Sequence, residues 1–76
     1  MDKFDFVIIS EFFIAETKKL IDHHYSLNNL KQAYDLAIDL TKTISNDPSI
    51  YTALGDILRK SNNHLEAIGY YKKVIQ

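Results

Sequence analysis

Cysteine is absent from this 76-residue chain, and proline and glycine are scarce, at one and two residues. Without cysteine there is no disulfide, no thiolate zinc site, no iron–sulfur cluster and no thiol nucleophile. So little Gly and Pro leaves few loops. Neither sign of charge dominates: nine Lys and Arg stand against ten Asp and Glu, for a formal net charge of -1 and a pI near 6.2. That balance offers no basic footprint for a phosphate backbone, which argues against nucleic acid as a partner. A long hydrophobic run is missing as well. The most apolar stretch, Phe4 to Ala15, is interrupted by Asp5, Ser10 and Glu11 and falls short of the roughly 20 residues that span a bilayer. Lys3 lies between Asp2 and Asp5 with no basic leader before it, so the reading is a cytoplasmic protein with no secretory signal.

Apolar residues make up 46% of the chain, too many for a disordered tail. The length sets one domain, residues 1–76. A domain this small buries only about 60% of its unfolded surface, so further support must come from oligomerisation or from regular helix stacking. The charge is also divided along the chain. Residues 1–47 hold five lysines against eight carboxylates, a balance of −3; residues 48–76 hold four Lys or Arg against Asp56 and Glu66, a balance of +2. Ends of opposite sign favour head-to-tail or antiparallel association.

Three polar breaks punctuate the apolar pattern: Asn28-Asn29, Asn46-Asp47-Pro48 and Asn62-Asn63. Asp47-Pro48 is a helix start, because the carboxylate accepts from free first-turn N–H groups and proline there loses no bond. Asn28 and Asn62 suit the left-handed conformation that ends a helix. Asn29 with Gln32, and Asn63 with Glu66, have the spacing of a capping box. Asp2 is placed to cap a first helix. The spacing predicts helices over about 3–27, 30–45, 48–61 and 64–75, giving an all-α chain. Leu30, Ala33, Tyr34, Ala37, Ile38 and Leu40 form the apolar face of the second helix. Ile50, Tyr51, Leu54, Ile57 and Leu58 form that of the third, and Leu65, Ile68, Tyr71, Val74 and Ile75 that of the fourth. In the first helix the expected core stripe is Leu20, His24 and Leu27. Phe4-Asp5-Phe6 alternates briefly, which leaves helix or strand open over residues 4–9.

The two Asn pairs lie 34 residues apart, and the same interval relates Leu20 to Leu54, Ala33 to Ala67 and Leu40 to Val74. A helix–turn–helix unit of that period is a repeat signature. The second unit reads Tyr51-x-x-Leu54-Gly55-x-x-Leu58 followed by Ala67-x-x-x-Tyr71, with Pro48 near the unit boundary. In these residues the chain resembles the tetratricopeptide repeat family. Residues 48–76 form a near-consensus unit. Residues 14–47 form a degenerate one, where Thr17 replaces the aromatic and Ile21 the small residue. Residues 1–13 are an apolar helical extension. The resemblance implies a right-handed helix–turn–helix solenoid of four helices with an extended first helix. Small residues at Gly55 and Ala67 let the helices of the second unit approach closely. Ile21 should hold the first pair wider apart.

The resemblance also implies a concave, peptide-binding face made by the first helix of each unit. Carried onto this chain, that face holds Lys18, Asp22, Tyr25 and Ser26 in the first unit, and Thr52, Asp56, Arg59 and Lys60 in the second. Tyr25 supplies a rigid aromatic surface and Arg59 a planar fork for a carboxylate. Asp22 stands where the family's clamp for C-terminal carboxylates has asparagine, and its negative charge disfavours such a ligand.

No constellation for catalysis is present. His23 and His24 are adjacent, so on a helix they point about 100° apart and cannot share a metal. Asp22, Asp39 and His64 lack partners at catalytic or metal-binding spacing, and neither glycine belongs to a phosphate loop. The chain therefore reads as a non-catalytic protein–protein interaction module with no cofactor. Its ends add a second expectation. Phe4, Val7, Ile8, Phe12 and Phe13 point nearly all round one helix, while Tyr71 and Val74 close a unit that no helix follows. Such surfaces predict a homodimer or small homo-oligomer.

Overall fold

The computed structural model describes residues 3–44 and 47–75, with side chains described from Ser10 onward apart from residue 76 and positions 45–46. The expected Asp2 cap lies outside the described residues. Four helices account for nearly all the rest: α1 (Lys3–Ser26), α2 (Leu30–Thr43), α3 (Pro48–Lys60) and α4 (His64–Ile75). Residues 4–9 are helical, which settles the brief alternation there, and no strand occurs among the described residues. No helix of the described residues is long and apolar enough to cross a membrane.

The turns explain why the helices stop where they do. Asn28 and Asn62 adopt φ of 64° and 67°, the left-handed conformation that asparagine tolerates. The Asn28 N–H donates to the Tyr25 carbonyl, and the Asn29 N–H to the His24 carbonyl. The second turn repeats this pair, from Asn62 to Arg59 and from Asn63 to Leu58. These are two matching Schellman caps, 34 residues apart. The capping box expected at Asn29 does not form, for its side chain makes no cap bond. Its amide lies 3.5 Å from His24 Nδ1 instead. At the α3 start, Asp47 accepts from the Ser49 N–H at 2.9 Å, as a cap should.

One core cluster joins Ile21 of α1, Ala33, Ala37 and Leu40 of α2, and Ile50, Leu54 and Ile57 of α3. Leu58 of α3 and Ala67 of α4 are also buried, outside that cluster. Each helix meets its sequence neighbour, α3 also touches α1, and α3 against α4 is the most extensive contact. Polar atoms in this interior are satisfied: buried Thr17 donates its hydroxyl to the Phe13 carbonyl, and no buried side-chain nitrogen or oxygen among the described residues is left unpaired. At 24 residues α1 is about 36 Å long, against about 21 Å for the 14-residue α2. About ten residues of α1 therefore overhang its antiparallel partner. Phe12 and Phe13 are exposed where that support ends.

Two expected core stripes are rotated. On α1 the inward residues are Ile14, Thr17, Ile21 and Tyr25, while Leu20 and Leu27 stay exposed. On α4 only Ala67 is buried; Leu65 and Ile75 are 87% and 84% exposed. Both are end helices. Each carries two apolar stripes and has neighbours enough to cover one.

A close approach lies at Gly55. A Cβ placed there would stand 2.5 Å from the Tyr71 ring, so Tyr71 occupies the space that glycine leaves. That ring is held in place by a hydrogen bond from its hydroxyl to Asp56. Gly55→Ala should therefore lower stability by about 1–2 kcal/mol, since overpacking outweighs the helix propensity gained. In a Tyr71→Ala background the same change should raise stability by roughly 1 kcal/mol. Urea melts of the four proteins measure this reversal of sign.

Candidate functional site

The α1–α3 seam forms a groove. Both helices run in the same direction along it, with Lys18 near Ser49 at one end and Tyr25 near Ile57 at the other. Two adjoining depressions of about 100 and 120 Å³ share Ile21, Asp22 and Ala53. Ligand pockets for small molecules are commonly 300–1,000 Å³, so neither depression accommodates a metabolite. Each suits a single side chain. From Lys18 to Tyr25 the groove extends about 10 Å, the reach of three residues of extended peptide.

The structure brings Lys18, Asp22, Tyr25 and Asp56 to the walls of this groove. Their charges are not equally free. Lys18 Nζ donates to Asp47 at 2.9 Å, which ties α1 to the cap of α3. The same Asp47 accepts from Ser49, and the Lys18 bond holds its carboxyl below the ordinary value of 3.8. Asp56 accepts from the Tyr71 hydroxyl and lies 3.8 Å from Arg59. That bond raises the Tyr71 phenol above its ordinary value, so the fold favours the neutral form. Lys60 places its ammonium 4.5 Å from the centre of the Tyr25 ring and donates to the Tyr25 carbonyl. Tyr25 is consequently half-buried, not open. Asp22 is exposed and has no ion-pair partner among the described residues.

Arg59 and Lys60 are exposed beside the groove, whereas Ser26 and Thr52 spend their hydroxyls on the His23 and Pro48 carbonyls. Of the residues expected to mediate self-association, Phe12 and Phe13 are exposed. The side chains of Phe4, Val7 and Ile8 lie outside the described residues. Tyr71 and Val74 are half-buried; the open apolar residues of α4 are Leu65, Ile68 and Ile75. His23 and His24 meet edge to face at 6.0 Å, and no group of three metal-ligating side chains gathers among the described residues.

Two features lay beyond sequence reasoning. The Lys18–Asp47 bridge joins residues 29 apart, and no local spacing signals it. The rings of Tyr51 and Tyr70 stack at 6.2 Å with the Lys73 ammonium 5.3 Å from each. Only the Tyr70–Lys73 spacing of three residues hinted at that arrangement. Comparisons with protein-family models, curated proteins and solved structures find no match to this chain.

Asp47 supports both a helix start and a bridge, so Asp47→Ala should cost about 1–2 kcal/mol at neutral pH. Its carboxyl is depressed in the folded state, so its contribution is present above the ordinary value of 3.8 and lost as pH falls through the lower folded one. Urea unfolding of both proteins should show the gap between them closing in acid.

Proposed function

We propose that this chain is a two-unit tetratricopeptide-like solenoid that binds an extended segment of another protein along the α1–α3 groove. The observation that carries this reading is the Asp22 carboxylate, without an ion-pair partner among the described residues, between two depressions each the size of one side chain. Matching Schellman turns 34 residues apart support the repeat, and the parallel course of α1 and α3 supports a concave face. The charge arrangement selects the ligand. Lys18 and Lys60 are occupied within the chain, and Asp22 has no counter-ion among the described residues, so a segment with Lys or Arg beside small apolar residues fits better than an acidic tail.

A second reading is self-association, with the homo-oligomer as the functional unit. It is favoured by the exposed phenylalanines on α1 and the exposed isoleucines on α4.

Fluorescence anisotropy with labelled random octapeptides, divided into basic, neutral and acidic pools, tests the groove. The basic pool should bind, and Asp22→Lys should weaken that binding at least tenfold while leaving the thermal melt unchanged. Preference for the acidic pool, or indifference to Asp22→Lys, would overturn the assignment.

A further inference from the structure

The two open apolar stripes have related positions. Phe13 and Leu20 on α1, and Leu27 in the turn just past its end, recur every seven residues, so they line one side of that helix. That side is roughly opposite Lys18 and Asp22, which face α3. On α4, Leu65, Ile68 and Ile75 lie roughly opposite Glu66 and Tyr70. Glu66 helps line a cleft with Leu30, Lys31 and Tyr34 of α2. One stripe thus marks the head of the molecule and the other its tail.

The 34-residue interval relates these stripes to the junction inside the chain. Leu20 corresponds to Leu54; Leu20 is 50% exposed, whereas Leu54 is 0% exposed within the core it shares with α2. Ile68 corresponds to Tyr34, and Lys72 to Ile38; Tyr34 and Ile38 are half-buried against that same core. The head therefore presents the counterpart of what α3 buries, and the tail the counterpart of what α2 offers it. The head is the more polar half, since Glu16 and His23 stand where α3 has Ile50 and Ile57. Charge supplies a direction. Glu16, exposed on α1 and 3.3 Å from Lys19, belongs to the chain's acidic half, and Lys72, exposed on α4, to its basic half.

We infer that copies of this chain stack head to tail, the Phe13–Leu20–Leu27 face of one docking on the Leu65–Ile68–Ile75 face of the next as a weaker copy of the internal junction. The inference rests on the self-association reading and adds its geometry. A heterologous contact of this kind leaves one face open at each end, so growth has no built-in stop. The opposite net charges of the two halves make the association sensitive to ionic strength.

Complementing variants test the mode of association. Leu20→Lys with Leu27→Lys blocks the head, and Ile68→Lys with Ile75→Lys blocks the tail. All four positions are exposed, and circular dichroism checks that the helices persist. By light scattering the unmodified chain should rise with concentration beyond twice its 8.8 kDa mass. Each variant alone should remain at monomer mass. An equimolar mixture should form a one-to-one dimer and stop there, because only one intact junction is available. A tail variant that still associates, or a mixture that restores nothing while the unmodified chain associates, overturns head-to-tail stacking but leaves self-association standing. A monomer at every concentration overturns both. Phe13→Lys and Leu65→Lys form a second pair of variants should either first variant unfold.

Discussion

Burial of α3 is the constraint on which the remaining structure depends. Among the described residues it is the only helix in contact with all three others, and it supplies Ile50, Leu54, Gly55, Ile57 and Leu58 to the interior. Each neighbour contributes fewer: Thr17 and Ile21 from α1, three buried residues from α2, and one from α4. A chain without disulfides thus builds its interior around one short amphipathic segment, which is enclosed because α1 and α2 precede it and α4 folds back on it. The start of that segment is fixed with comparable care. Asp47 meets both the Ser49 amide and the Lys18 ammonium, so the residue that begins α3 also fixes its height along α1.

The same arrangement governs the groove. Three charged side chains on its walls or rim have internal tasks: Lys18 holds Asp47, Asp56 accepts from Tyr71, and Lys60 covers Tyr25. These contacts are partly exposed, and each contributes modestly to stability. Their larger effect is on recognition, because they remove two cations from the surface a ligand meets and leave Asp22 as the dominant local charge. An inventory of side chains by position would credit the groove with cations that the fold has already engaged.

Helix number, turn positions and the α3 start were legible because each has a local cause. Pro48, Asp47 and two left-handed asparagines act on their immediate neighbours, and the structure places helix ends within two residues of the expected limits. The buried faces of α2 and α3 were legible for a related reason, as those helices have partners on both sides. On α1 and α4 the pattern contains two apolar stripes, and sequence periodicity cannot tell which one a neighbour covers. Leu20 and Leu65 were read as inward residues, and both face outward. Of the groove residues, positions along the chain were legible, but the pairing of Lys18 with Asp47 depends on a tertiary contact between distant segments.

With a single buried residue, Ala67, α4 rests on α3 mainly through half-buried tyrosines. The overhanging start of α1 has no α2 beneath it. Local opening free energies should therefore rise from the termini toward the middle of the chain. Amide protons of Leu54 and Ile57 would exchange with solvent only on complete unfolding. Those of the last turn of α4 would exchange by fraying, without disturbing the core. Either terminal segment can then loosen to meet a partner while the central helix keeps the molecule folded.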